Sequence, residues 1–276
     1  MPLVQVIVLA ILQGITEFLP ISSSAHLALT PWLFGWKDQG LEFDTALHFG
    51  TLFSVLIYFF RDWLRIIVNG LGFPSPAVLG PDPSLDRNPR MLWYLIAATI
   101  PAGIAGLLFK DKIETTLRSP YVMGTMLIVV GLIMWSAERF ARHERTMGEM
   151  SLKDCLFIGG AQALALIPGT SRSGITMTAG LFRNLDRSTA ARFSFLLSTP
   201  IVAAAAMKGL LDLRKHGGLN AETMPSLAIG IIVTAITGCF VIAVLLKFLR
   251  TNSVLPFVVY RVAFGIFIIA LALYRA

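Results

Sequence analysis

The sequence predicts an all-α polytopic membrane protein, with about six transmembrane helices and two re-entrant helical hairpins arranged as inverted-topology repeats. Three observations carry that expectation. Of the 276 residues, 55% are hydrophobic and only 14% charged, whereas a soluble domain carries about a quarter of its residues as Asp, Glu, Lys and Arg. Apolar runs close to the ~20 residues needed to cross a bilayer recur from end to end. Two other apolar runs are interrupted by proline and serine, one in each half of the chain.

Residues 2–19 are apolar but carry Gln13, Thr16 and Glu17, break at Pro20 and Ser22-Ser23-Ser24, and return as the short piece 26–36. Backbone broken at membrane depth is tolerated only where it is buried in protein or lines a wet cavity, so this pair reads as a re-entrant hairpin. Residues 43–60 form the next span, ending in Arg61 and Arg65, and the Pro-, Gly- and Asp-rich stretch 70–90 reads as a loop. Residues 91–109 and 121–140 are spans, and 139–153 is the most hydrophilic stretch. The opening pattern then returns: 156–167 is apolar apart from Gln162, breaks at Pro168-Gly169-Thr170-Ser171-Arg172-Ser173-Gly174, and resumes over 175–182. Spans 193–211, 226–248 and 255–274 complete the chain.

Broken helices in corresponding places of two halves point to an inverted repeat with its site at the repeat interface. The expected organisation is a single membrane domain over 1–276, with repeats at about 1–140 and 154–276 and a cytoplasmic connector at about 139–153. The echo is loose when counted from the prolines: Gln13 precedes Pro20 by seven residues and Gln162 precedes Pro168 by six.

The net charge of +7 comes from short basic clusters between apolar runs, which suits topology signals better than nucleic-acid binding. With the first hairpin opening outward and the second inward, thirteen Lys and Arg fall on one side and eight on the other. That asymmetry makes the first side cytoplasmic. Cys155 and Cys239 are isolated and support neither a disulfide framework nor a metal site. Residues 1–10 lack a basic region before their apolar run, so the first hydrophobic segment is expected to be retained.

Charged groups inside a bilayer are costly and therefore functional candidates. Four clusters qualify: Gln13 with Glu17 on one helical face, Ser22 to Ser24 with His26, Ser171-Arg172-Ser173-Gly174, and Arg261. Hydroxyls and backbone N–H groups at a helix start make an anion site, and Arg172 adds a permanently charged fork suited to phosphate oxygens. Ser23 becomes a nucleophile if a base takes its proton, and His26, three residues on, can reach the same site. Glu17 could orient that histidine, act as the base, or hold a divalent cation against a diphosphate. Together the set suits in-line attack on a phosphoryl group, with the lipid side open to a long tail.

The stretch Gln13-Gly14-Ile15-Thr16-Glu17-Phe18-Leu19-Pro20-Ile21-Ser22-Ser23-Ser24-Ala25-His26 resembles the first signature of the bacitracin-resistance type undecaprenyl-diphosphate phosphatases. Residues 168–174 are similar to the second, Pro-Gly-x-Ser-Arg-Ser-Gly, and 255–261 to the ending, so the likeness covers essentially the whole chain. The resemblance implies six spans plus two hairpins, a homodimer, and a bacterial inner-membrane enzyme with its active site on the periplasmic side. It implies hydrolysis of undecaprenyl diphosphate to the monophosphate, recycling the carrier lipid for peptidoglycan and conferring bacitracin resistance. By position, Ser23 would be the nucleophile, His26 its acid–base partner, Glu17 the essential acid and Arg172 the phosphate anchor. Ser24, Thr170, Ser171, Ser173 and Gly174 would be substrate-binding donors, and Glu17 with Gln13 would serve Mg²⁺ or Ca²⁺. Two departures matter: Gln13 is an amide where many members carry Glu, and His48 stands where an amide is expected and either lines the cavity or packs, packing being the favoured reading.

Two rivals have a sequence signature to meet. The acid-phosphatase-like lipid phosphatases need a Lys upstream of Arg-Pro, which this chain lacks. A polyprenyl-phosphate transporter or flippase would share the repeat architecture but does not need Glu17, Ser23, His26 and Arg172 together.

Overall fold

The structure is a computed structural model that describes residues 1–37, 39–80, 82–117, 119–215 and 223–275. Among the described residues the chain is helical, and its one β feature is an isolated bridge between Arg145 and Leu185. The helices are α1 (Leu3–Thr16), α2 (Ser23–Phe34), α3 (Gly40–Tyr58), α4 (Phe60–Gly70), α5 (Pro83–Asp86) and α6 (Met91–Thr116). They continue as α7 (Pro120–Phe140), α8 (Leu152–Gln162), α9 (Arg172–Phe182), α10 (Arg187–Lys215), α11 (Met224–Leu249) and α12 (Leu255–Arg275). Five of them are long and apolar enough to cross a bilayer: Met91–Phe109, Pro120–Phe140, Arg187–Gly209, Met224–Leu249 and Leu255–Arg275. The fold is that of an all-α multi-pass membrane protein.

The expected span over 43–60 is shorter than the sequence suggested. Its apolar part is Phe43–Tyr58, about 24 Å at 1.5 Å per residue against a hydrocarbon core of about 30 Å. The helix stops because Phe59 leaves helical geometry (φ −97°, ψ 23°) and the chain restarts as the amphipathic α4. The stretch 70–90 is also more ordered than a plain loop. Asp82 caps α5 by accepting from the backbone N–H groups of Ser84 and Leu85, at 3.1 and 3.4 Å.

Packing is reciprocal between the halves. α1 lies against α11 and α8 against α6, while α7 pairs with α12 and α3 with α10. Small residues permit these approaches, as is usual where lipid supplies no hydrophobic drive. At Gly124 of α7, for example, a Cβ would fall 2.9 Å from the Gly265 carbonyl oxygen of α12. Inside, Phe18 meets Phe195 edge to face at 5.3 Å, fixing the first break against α10.

One end of the bundle is tied by ion pairs. Asp154, fully buried, receives Arg145 at 2.8 Å and Arg183 at 2.6 Å, and forms a capping box with Ser151 at the start of α8. Arg192 bridges Asp62 and Asp82 at 2.7 and 2.6 Å, and Arg187 holds Glu138 at 2.6 Å. These contacts anchor the second hairpin and α10 at that end.

Candidate functional site

The two breaks are built alike. Pro20 disfavours helix at the residue before it, and the chain re-enters helix at Ser23 with Ser22 as cap. Ser22 sits at φ 78° and its Oγ accepts from the Ala25 N–H at 3.4 Å. In the second break Ser171 sits at φ 70° and its Oγ accepts from the Gly174 N–H at 3.1 Å. Positive φ is unfavourable for serine by roughly 1–2 kcal/mol, and the cap bond offsets part of that cost. The Oγ–Oγ contacts Ser22–Ser24 and Ser171–Ser173 are both 3.2 Å.

The register between the breaks is therefore tighter than the proline spacing suggested. Gln13 and Gln162, Ser22 and Ser171, and Ser24 and Ser173 are each separated by 149 residues, as are the first residues of α2 and α9, Ser23 and Arg172. The breaks also touch: the Gly169 N–H donates to Ser24 Oγ at 3.5 Å and Ser173 Oγ donates to the Leu19 carbonyl at 3.2 Å. Arg261, fully buried, laces them together. It donates to the Pro20 carbonyl at 3.1 Å and to those of Gly169 and Thr170 at 3.1 and 3.0 Å. Those are structural bonds, so this membrane-depth arginine positions backbone.

Glu17 is the centre of the site. The Glu17 N–H still bonds the Gln13 carbonyl at 3.0 Å, which keeps both side chains on one face. Its Oε1 takes Arg172 Nη2 at 2.7 Å, and its Oε2 takes Ser23 Oγ at 2.5 Å and Gln13 Nε2 at 3.2 Å. Glu17 is 7% exposed and Arg172 13%. Arg172 also donates from Nη1 to the Ser194 carbonyl at 3.3 Å, and Thr176 Oγ1 joins Ser194 Oγ at 2.6 Å. A guanidinium has five donors, so the two bonds made here leave N–H groups for an anion.

Several expectations change in detail. His26 does not meet Ser23: its Nδ1 lies 2.7 Å from the Ser22 carbonyl oxygen, its Nε2 2.6 Å from Tyr260 Oη, and its ring stacks on Phe264. The ionisable side chain in contact with Ser23 is Glu17. The Gly174 N–H, expected to face an anion, is engaged by the Ser171 cap, and Ser171 Oγ is committed to that bond. Ser24 is exposed, and Thr170 Oγ1 is buried without a partner. His48 does not simply pack: it is 38% exposed, with Nε2 4.0 Å from Glu17 Oε2. Tyr260, Thr176 and Ser194 were not singled out from sequence. Thr176 had a usable signal, since it follows Arg172 by one helical turn. Ser194 had none, lying on a separate helix.

The sequence model for the family described as bacitracin resistance protein BacA matches residues 6–267. The chain belongs to that family. It is 46% identical over 270 residues to the undecaprenyl-diphosphatase of Moorella thermoacetica, covering 98% of each chain. It is 48% identical over 267 residues to that of Gemmatimonas aurantiaca, covering 96% of each. With that of Teredinibacter turnerae the identity is 48% over 269 residues, covering 96% of this chain and 98% of the other. BacA membership thus spans both breaks and the Tyr260-Arg261 ending that locks them.

Proposed function

We propose that this BacA-family chain hydrolyses undecaprenyl diphosphate to undecaprenyl phosphate and inorganic phosphate, with Glu17, Ser23 and Arg172 at the reacting centre. One observation carries the assignment: the Ser23 hydroxyl rests on a buried carboxylate that is itself held by Arg172. A carboxylate at 2.5 Å can take the hydroxyl proton as Oγ attacks the terminal phosphorus. The bridging P–O bond then breaks, leaving undecaprenyl phosphate, and water attacking the phosphoserine releases phosphate and regenerates Ser23. Arg172 stabilises the charge on the transferring phosphoryl oxygens. His26, bonded to Tyr260, shapes the wall of the site and is not the base for Ser23 in this arrangement.

A divalent cation fits the residues present. Gln13 Oε1 is buried and unpartnered, and a Mg²⁺ site commonly uses one or two protein carboxylates plus substrate phosphates. Glu17 and Gln13 would hold it, and such an ion supplies charge neutralisation for the diphosphate. The placement is the bacterial inner membrane, with the basic end around Arg145, Arg183 and Arg192 cytoplasmic and the site opening to the periplasm; the positive-inside bias supports this. The homodimer rests on the family resemblance. Recycling the carrier lipid would serve peptidoglycan synthesis and underlie bacitracin resistance.

The test is phosphate release from undecaprenyl diphosphate by purified protein in detergent, with Mg²⁺, Ca²⁺ or EDTA. Release by the natural protein, abolished in Ser23→Ala and Arg172→Ala, is the expected result. No release from well-folded protein with any cation would overturn the proposal and leave a lipid transporter of the same architecture, which forms no product in detergent.

A further inference from the structure

A cavity of about 500 Å³ opens where α3 breaks into α4, against the start of α10 and the last turns of α11. That size is within the roughly 300–1,000 Å³ of small-molecule sites. Tyr58, on its wall, stands ten residues after His48 on α3, about 15 Å along a helix, so the cavity is separate from the site around Glu17. Its charges are not all accounted for. Asp62, the one acid on its described wall, receives Arg192 Nε at 2.7 Å, and the other two nitrogens of Arg192 reach Ser84 Oγ and Asp82 Oδ2 at 3.2 and 2.6 Å. Lys247 and Arg250 are exposed on the same wall, and among the described residues neither side chain has an acidic or hydrogen-bonding partner. A helix dipole and the positive-inside bias favour cations in the last turn of α11, but neither requires a cavity beside them.

Two patterns put this cavity at headgroup depth. α4 exposes Phe60, Leu64 and Ile67, spaced i, i+4, i+7, which is the apolar face of a helix lying in the membrane interface. Along α11, Phe240 and Val244 are exposed and Lys247 follows at the same spacing, so an apolar track toward lipid ends in the two cations. We infer that this cavity binds the headgroup phosphodiester of an anionic phospholipid, with Lys247 and Arg250 on the phosphate oxygens and an acyl chain along Phe240 and Val244. Basic pockets between membrane helices are the usual sites for such heads. A zwitterionic head is disfavoured, because its ammonium would face two cations while Asp62 is already held by Arg192. The site stands whether or not the chain hydrolyses a diphosphate.

The test is native mass spectrometry of the full chain in detergent, titrated with phosphatidylglycerol and phosphatidylcholine of matched acyl chains. The natural chain should hold phosphatidylglycerol at least about tenfold tighter, since each cation near an anionic lipid contributes about fivefold. Lys247→Gln with Arg250→Gln should bring the two lipids within about threefold of each other. Arg139→Gln with Lys153→Gln removes the same charge at exposed positions outside the cavity and should leave the preference intact. Ala243→Trp, at the exposed rim, blocks the cavity without changing charge and should lower the preference to the level of the first double variant. Equal losses in the two double variants would reduce the effect to general surface charge and overturn the site. Displacement of phosphatidylglycerol by glycerophosphoglycerol or inorganic phosphate would overturn it in favour of a small solute, and tighter binding of undecaprenyl phosphate in favour of another lipid. If Ala243→Trp does not fold, the two charge variants, both at exposed positions, decide.

Discussion

Glu17→Gln and Arg172→Gln, made singly and together, test the centre of the site. The two side chains meet at 2.7 Å and are 7% and 13% exposed. Breaking a buried pair by removing one partner strands a charge and costs about 3–5 kcal/mol, whereas removing both partners costs much less. Each single substitution should therefore destabilise by about 3 kcal/mol or more, and the double by clearly less than the sum, giving a coupling of about 1–3 kcal/mol. Tryptophan fluorescence during detergent-denaturant unfolding measures it. Turnover should follow the same logic: each single variant loses at least about 100-fold in phosphate release, and the double falls no further than the worse single, because the residues act as a unit. Stabilities that add within about 0.5 kcal/mol, or either single variant turning over at the natural rate, would refute a mutually dependent pair.

Ser23→Ala should lower single-turnover phosphate release by at least about 100-fold, while Ser24→Ala, at an exposed residue whose hydroxyl meets Ser22 and the Gly169 N–H, should stay within about tenfold; equal effects would move the nucleophile. Tyr260→Phe removes the hydroxyl 2.6 Å from His26 Nε2 and should cost about 1 kcal/mol of stability, with little added effect once His26→Asn is present. Asp82 tests acid stability. Burial raises its pKa, but bonds from Ser84 and Arg192 outweigh burial and hold it at about 2 against an ordinary 3.8. Its stabilisation is complete above pH 3.8 and is lost as pH falls towards 2, so Asp82→Asn should flatten the acid limb of a melting-temperature profile; parallel profiles would refute that. Gly169→Ala should destabilise by more than about 1 kcal/mol, since φ is 91° and the new Cβ would lie 2.5 Å from the Met123 carbonyl oxygen.

Much of this was legible because membrane energetics simplify the reading. Glu17 and Arg172 stand out in apolar surroundings where an unpaired charge is expensive, and the structure pairs them with each other. Both breaks were visible from Pro20 and from residues 168–174, since interrupted backbone must be satisfied by protein. What stayed hidden depends on which side chain reaches which. His26 follows Ser23 by three residues, and spacing alone allows their contact; in the fold its ring turns to Tyr260, 234 residues away. The approach of His48 to within 4.0 Å of Glu17 was out of reach for the same reason, because helical spacing gives no distance between α3 and the end of α1. The short apolar part of α3 was missed because residues 58–60 are aromatic and hydropathy runs through them, while the backbone breaks at Phe59.

The matching register of the two breaks explains why a repeated architecture yields one site. Ser22 and Ser171 solve the same local problem, a helix start at depth, with the same positive φ and the same cap. The next residue is where they diverge: Ser23 in one break and Arg172 in the other, at equivalent positions, supply a hydroxyl and a cation to one carboxylate. The equivalents of Glu17 and His26 in the second break are Leu166 and Ile175. A second buried carboxylate there would need its own cation, at a cost of several kcal/mol if unpaired. The second half avoids it and spends its charge across the interface instead. Gln162 is what this division leaves over. It occupies the place of Gln13 and is buried, yet both its side-chain polar atoms lack a partner, because the carboxylate that Gln13 supports has no counterpart beside it.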